Sequence, residues 1–462
     1  MGAEARRGLQ SLGASLCVVF CGACGDPEPP GAGNVLLLIA DDLGTDKVAA
    51  YGEHPQPPAT PNLDALAARG VLFRNAYAPP ACSPSRAAML TGRIPRRYGL
   101  GIALRSRKDD FELPLDELTL PELLATSPHG YSSSAVGKWH LAGLASPNGT
   151  RHPLRSGFGW YAGAFGNFRD TEAAGNETYF DWEKSHDGEL ARVHDYATSD
   201  TVDDALARIR AMSEPWFLWV AFNAPHYPLH EPPQQLRSGP PAETIPEAFA
   251  AVVGALDSEI GRLLAGIAPA VLARTSVVFV GDNGTPKAVV TPPRKAEHGK
   301  LTLYEGGVNV PLIIAGPEVA RPGSESPALV HVADIFPTVA QIAGVDPANQ
   351  SGADGRPLRL DGRSLLAQLR NPNAPGHEFI YQDLFAPNGP GPYRRDRRML
   401  RDARWKLISD HNGNEQLFDL KGRNDDGADR IEEPGPEGSA ALARLRAEMQ
   451  RRVAELDADR SG

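Results

Sequence analysis

Cysteine is almost missing from this chain, with four among 462 residues: Cys17, Cys21, Cys24 and Cys82. Three of them sit in an N-terminal leader. Once that leader is removed at Cys24, only the terminal residue and Cys82 remain, which leaves no disulfide framework. Long apolar runs are missing too: no window approaches the roughly 18 residues of a membrane-spanning helix. An excess of basic charge is absent, with 47 Lys and Arg against 57 Asp and Glu, a net charge of -10. That balance argues against a nucleic-acid or general polyanion binder. No internal repeat is visible. Glycine and proline, by contrast, are plentiful, 47 and 42 residues, and they are spread between apolar segments, as in a loop-rich globular protein. The length is that of two domains.

The N-terminus reads as an export signal, with Arg6 and Arg7 ahead of an apolar stretch at 12–23 that ends in small residues. Cys21-Gly22-Ala23-Cys24 has the form of a bacterial lipobox, with Cys21 where leucine is usual. The expectation is a signal peptide at 1–24, a Pro- and Gly-rich tether at 25–33 and a lipid on Cys24. That places the protein in the periplasm or on the cell surface, with the anchor as its one link to a membrane. The sequons at Asn148, Asn176 and Asn349 carry little meaning in such a source.

Residues 34–40 are a continuous apolar run, as expected of a strand buried on both faces. Further strands are predicted at 216–222, 276–280 and 310–315. Helices are predicted at 60–69, 199–212, 248–267 and 330–343. Strands alternating with helices imply a large, mostly parallel α/β sheet flanked by helices over 34–375. From 376 to 462 short strand-like pieces separated by turns predict a smaller antiparallel sheet closed by a helix near 439–456.

Asp41-Asp42, His226 and Asp282-Asn283 each come just after a predicted strand. Ligands of open α/β sheets bind outside the carboxyl ends of the strands, so these residues are expected to converge. Asp41, Asp42, Asp282 and Asn283 offer only oxygen, the choice for a hard cation such as Ca²⁺ or Mg²⁺ rather than zinc. Each cluster alone is also compatible with a loop cap or turn. Cys82-Ser83-Pro84-Ser85-Arg86 opens a predicted helix, which puts Cys82 where free N–H groups and the helix dipole favour an anion.

This pentapeptide resembles the signature of the type I sulfatases, of the alkaline phosphatase-like superfamily. The resemblance extends in order through Asp41-Asp42, Gly137-Lys138-Trp139-His140, Pro225-His226-Tyr227-Pro228, Asp282-Asn283-Gly284, and Lys300 ahead of Glu305-Gly306-Gly307. Trp405-Lys406-Leu407-Ile408 and the stretch from Glu415 to Leu420 look like the family's second domain. Asn309 departs from the family, where arginine is common. The resemblance implies hydrolysis of sulfate monoesters of carbohydrates or aryl alcohols. It also implies oxidation of Cys82 to Cα-formylglycine by a formylglycine-generating enzyme, and a metal site of Asp41, Asp42, Cys82, Asp282 and Asn283. The hydrated aldehyde would attack sulfur through one hydroxyl and expel sulfate by deprotonation of the other, an exit that serine lacks. By the same resemblance His140 is the base for that elimination and His226 the acid for the leaving alcohol. Lys138 and Lys300 would hold the sulfate oxygens, and Arg86 would orient the nucleophile.

Two alternatives stay open at this stage: a phosphonate or phosphodiester hydrolase of the same superfamily, and a non-catalytic lipoprotein that binds sulfated glycans. His298 either faces the pocket or is an ordinary loop histidine. Arg394, Arg395, Arg397 and Arg398 read as a solvated face beside Asp396 or as a grip for a sulfated polysaccharide. Specificity is expected from loops at 100–114, 146–195 and 386–398. Oligomeric state leaves no trace in the sequence.

Overall fold

A computed structural model describes residues 1–2, 33–168, 177–237, 239–292, 294–352, 355, 357–422 and 425–458. The leader, the lipobox with Cys17, Cys21 and Cys24, and most of the tether lie outside the described residues. Ala32–Gly462 form one compact unit, and among the described residues no helix is long and apolar enough to cross a membrane.

The main sheet comprises β1 (Asn34–Ala40), β2 (Val71–Tyr77), β3 (Ser132–Gly137), β4 (Tyr161–Ala164), β5 (Trp182–His186), β6 (Glu189–Val193), β7 (Trp216–Ala221), β8 (Thr275–Gly281), β9 (Leu312–Ala315) and β10 (Ser324–His331). Their spatial order is β10-β2-β9-β8-β1-β7-β3-β4-β5-β6. The central block β8-β1-β7-β3 is parallel throughout, so these four strands end at one edge. Antiparallel pairs bring in β9, β5 and β6. This is the expected large mixed sheet.

The continuous apolar run of β1 has its physical reason in two cores. Val35, Leu37 and Ile39 enter one, with helices Cys82–Thr91 and Ile335–Ile342. Leu36, Leu38 and Ala40 enter the other, with Pro61–Arg69, Ala197–Ala211 and Ile245–Gly266. Each fully buried leucine contributes about 1.5–3 kcal/mol of transfer free energy, so the strand is held from both sides.

The helix expected at 330–343 needs correction. Its first two residues belong to β10, and the helix proper is Ile335–Ile342 after a 3₁₀ turn. Among the described strands β10 pairs only with β2, an edge position where Pro327 is tolerated. The Asp334 carboxylate then accepts the His331 N–H at 2.8 Å and opens the turn.

The second sheet is antiparallel in chain order: β11 (Ile380–Ala386), β12 (Arg395–Arg401), β13 (Trp405–Asp410) and β14 (Glu415–Asp419). One face carries Leu400, Leu407 and Leu417 and packs on the helix Gly435–Ala458 through Leu445 and Leu456. The other carries Ile380, Met399, Ile408 and Phe418 against Tyr77, Leu303 and Val308.

Candidate active site

The parallel block ends where the chemistry begins. Asp41 and Asp42 follow β1, and Asp282 and Asn283 follow β8. His226 comes five residues after β7, and Lys138 and His140 follow β3. The helix Cys82–Thr91 points its N-terminus at the same place, with Ala81 extended before it and every residue of the helix buried. Asp42, His140 and Leu301, beside Lys300, all have positive φ, at 67°, 59° and 64°. Each such non-glycine conformation costs on the order of 1–2 kcal/mol, strain that surrounding packing must hold.

The carboxylates and cations interlock. The Asp42 N–H donates to Asp282 Oδ1 at 3.1 Å, and Asn283 Nδ2 donates to Asp42 Oδ1 at 2.7 Å. Arg86 grips Asp282 Oδ2 through Nε at 3.1 Å and Nη2 at 2.9 Å, and reaches the Lys138 carbonyl through Nη1 at 2.8 Å. Lys138 pairs with Asp41 and donates to Asn167 Oδ1 at 2.5 Å. Lys300 pairs with Asp42 and lies 3.3 Å from Cys82 Sγ. That sulfur is 3.2 Å from Asp41 Oδ1 and 3.8 Å from Asp42 Oδ1.

Burial would raise the Asp41 carboxyl, but the opposing cations, Lys138 foremost, hold it well below its usual range. Asp282 is raised to about 6, first by burial and then by the charge of Asp41. Burial, reinforced by Asp282 and Asp41, pushes the Cys82 thiol well above its ordinary value. An unmodified Cys82 is therefore a neutral thiol and a poor nucleophile.

Both histidines are anchored by one ring nitrogen and offer the other. His140 Nε2 lies 2.6 Å from the Leu104 carbonyl. A carbonyl only accepts, so this nitrogen carries the hydrogen and Nδ1 keeps a lone pair. That Nδ1 is buried without a hydrogen-bond partner among the described residues. Burial, then Lys138 and Arg86, hold the ring well below its ordinary pKa and so neutral. His226 donates through Nδ1 to the Tyr227 carbonyl at 2.7 Å and turns Nε2 toward Asp42 Oδ2, 3.7 Å away.

The site fits a hard cation. Asp41, Asp42, Cys82 and His226 bring potential ligand atoms within 4.8 Å of one another. Asn283 Oδ1 is buried with no hydrogen-bond donor among the described residues, a polar atom that a cation would satisfy. The oxygen donors of Asp41, Asp42, Asp282 and Asn283 are those of a Ca²⁺ or Mg²⁺ site.

All ten residues expected from the sequence thus meet in one place. His298 does not join them: its ring stacks on Tyr304 with centroids 3.7 Å apart, and its Nδ1 lies 3.8 Å from Asp426 Oδ2. Three contributors carried no sequence signal for their roles. Asn167 holds Lys138, the Leu104 carbonyl sets the His140 tautomer, and Lys406 is fully buried against Glu305 at 3.0 Å and Asp426 at 2.7 Å.

An oxygen-rich cation site, a position for a nucleophile at a helix N-terminus, two lysines and two singly anchored histidines define a hydrolase of anionic esters. The family model "Sulfatase" matches residues 33–345. The chain is 33% identical over 377 residues to pig (Sus scrofa) N-acetylgalactosamine-6-sulfatase, covering 74% of this chain and 68% of that one. It is 33% identical over 378 residues to human (Homo sapiens) arylsulfatase A, covering 75% and 71%. The solved structure of Ps i-CgsB with k-i-k-neocarrahexaose superposes with a TM-score of 0.76 at 26% identity, covering 91% and 92%. This chain belongs to the sulfatase family, and it is an enzyme that hydrolyses sulfate esters.

Proposed function

We propose that the substrate is a sulfate monoester of a carbohydrate, that Cys82 is matured to Cα-formylglycine by a formylglycine-generating enzyme, and that Asp41, Asp42, Asp282 and Asn283 hold a divalent cation, Ca²⁺ before Mg²⁺. The observation that carries this reading is the convergence of those four oxygen donors, Cys82, two lysines and two singly anchored histidines at one sheet edge. The similar proteins include an N-acetylgalactosamine-6-sulfatase and a complex with a neocarrahexaose, which supports a sugar substrate. Catalysis takes place in the part at 34–375, completed by the smaller C-terminal part at 376–462. The leader exports the enzyme to the periplasm or cell surface on a lipid at Cys24.

The aldehyde supplies, as its hydrate, one hydroxyl for attack on sulfur and a second for release of sulfate. The cation, when bound, supplies Lewis-acid stabilisation of the negative charge on the reacting oxygens. The remaining work falls to the chain. Lys138 and Lys300, on opposite flanks of Asp41-Asp42, hold the sulfate oxygens and counter the charge that develops on them. Arg86, locked on Asp282, orients position 82. His226 gives a proton from Nε2 to the departing sugar oxygen, which requires the doubly protonated ring because its Nδ1–H is held by the Tyr227 carbonyl. Burial opposes that charge and Asp42 favours it. His140, neutral and with Nδ1 free, takes the proton whose removal releases sulfate.

The test is the mass of the tryptic peptide containing Cys82, from protein made alongside a maturing enzyme. It should lie about 18 Da below the cysteine form, sulfur and two hydrogens exchanged for one oxygen. The same preparation should turn over nitrophenyl sulfate faster than bis-nitrophenyl phosphate. An unmodified cysteine, or faster phosphodiester turnover, would overturn the reading.

A further inference from the structure

We infer that Arg395 and Arg397 form a subsite for a second anionic group of the substrate, a sulfate or carboxylate on the sugar next to the reacting one. The inference rests on the carbohydrate reading and adds to it the charge of the neighbouring unit.

The cationic run of the second sheet is dealt to two faces by the pleat. The register of β12 with β11 and with β13 is unbroken, so alternate residues point the same way. Asp396 and Arg398 share one face and are closed on each other, with Arg398 Nε at 3.2 Å from Asp396 Oδ1 and Nη2 at 2.5 Å from Oδ2. Asp396 also takes Arg96 at 3.1 and 3.2 Å. Those charges are internal structure.

Arg395 and Arg397 share the opposite face with Met399 and Arg401. Met399 packs in the seam with Tyr77 and Leu303, and Arg401 donates to the Tyr77 hydroxyl. Arg395 is exposed and Arg397 half-buried, and neither guanidinium has an ion pair or hydrogen bond among the described residues. Asp410 lies opposite Arg397, but its carboxylate is turned back to Asn412 and Asn414 at 2.9–3.0 Å.

Both borders of this face touch segments that lead to residues of the site. On one side Gln416 accepts the Tyr304 hydroxyl at 2.7 Å, four residues after Lys300. On the other, β11 runs into Asn388, whose Oδ1 accepts the Gly101 and Ile102 N–H groups at 2.9 and 3.0 Å. Leu104, which anchors His140, follows two residues later. Two arginines without an ion pair or hydrogen bond among the described residues, their Cα atoms about 7 Å apart on one strand face, thus sit in a sheet bordered by the segment that carries Lys300 and the one that fixes His140. Arginine's planar fork matches sulfate and carboxylate alike. In a chain of net charge -10, a cationic pair left open at that border selects for an anion there.

The test is titration calorimetry on the full chain with four probes. These are inorganic sulfate, a neutral disaccharide with one sulfate, a disulfated disaccharide without carboxylate, and a disaccharide with one sulfate and one uronate. Wild type should bind one of the two dianionic sugars about ten-fold more tightly than the monosulfated one, and which of them it prefers identifies the second group. R395Q/R397Q should erase that preference, while R398Q, which removes one charge of the same run from the other face, should keep it. If wild type binds the monosulfated sugar and gains nothing from a second anion, the subsite is wrong and the carbohydrate reading stands. A loss per charge removed as large in R398Q as in R395Q/R397Q would reduce the effect to overall charge and overturn the subsite. If wild type binds inorganic sulfate but no disaccharide, the carbohydrate reading fails and takes the subsite with it.

Discussion

Around Asp41 and Asp42 two buried polar atoms, Asn283 Oδ1 and His140 Nδ1, have no hydrogen-bond partner among the described residues. Around Lys406, on the other side of the Lys300 segment, each carboxylate oxygen has a donor. Glu305 takes Lys406 at 3.0 Å and the Tyr77 hydroxyl at 2.7 Å. Asp426 takes Lys406 and the Glu305 N–H at 2.7 and 2.8 Å. At that cluster's edge only the amide oxygen of Asn309 is left over. Both clusters are buried and ionic, and they differ in completeness. A closed network fastens one sheet to another, and an open one waits for substrate and cation. At Asp41-Asp42 unmet hydrogen-bonding capacity coincides with buried charge, and it is that combination which suits a site for an anionic substrate and a cation.

The comparison breaks most sharply at Cys82. Cys82→Ala should lower kcat on nitrophenyl sulfate by at least about 10⁴-fold while the thermal midpoint hardly moves, since Cys82, though buried, belongs to none of the hydrophobic clusters. A variant that retained turnover would place the nucleophile elsewhere.

Lys406→Met should behave in the opposite way. It strands Glu305 and Asp426 as buried carboxylates, a loss of about 3–5 kcal/mol readable in urea unfolding. The kcat of the folded fraction should fall less than ten-fold. Unchanged stability would mean that the network does not fasten the sheets.

A third buried ionisable group sharpens the contrast from outside both clusters. Burial lowers His331 to about 4 against the opposing pull of Asp334, with His377 adding to the depression. The unfolded chain, with an ordinary histidine near 6.5, then binds the proton that the folded chain refuses. Stability from this residue is complete above about pH 6.5 and drains away as pH falls toward about 4, by up to about 3 kcal/mol. Chemical denaturation across that range should show the slope, and His331→Asn should flatten it.

The smallest effect concerns the open cluster itself. Calcium at about a hundred times its dissociation constant should stabilise the enzyme by about 2.7 kcal/mol, and a chelator should reverse this. Asp42→Asn should abolish the shift, whereas Asp426→Asn should leave it in place. Equal shifts in both variants would put the cation outside the Asp41-Asp42 site.

Much of this was legible in the residues. The apolar run of β1 announced a strand buried on both faces, and the Asp-Asp behind it announced a site at the strand's end. The ten candidate residues lay in short local motifs, each readable without its partners. Where periodicity was ambiguous the reading slipped: the apolar stretch at 330–343 suits a helix, and only pairing with β2 draws its first residues into β10. Lys406 stood in a recognised segment, yet nothing local distinguishes a lysine that is solvated from one at the centre of a buried network.

The sequence by itself determined the class of fold and the chemistry of the donors, because strand periodicity and donor type are local properties of a chain; Cys82 as the position of the nucleophile was what the resemblance to the sulfatase signature implied. Tertiary structure decided what depends on meetings across the chain. It brought Asn283 to Asp42 across 241 positions and chose which nitrogen of each histidine stays free. It also divided one run of arginines into a paired face and an open one. The physical reason is that a hydrogen bond, a tautomer and an unpaired charge are relations between groups, and only packing brings those groups together.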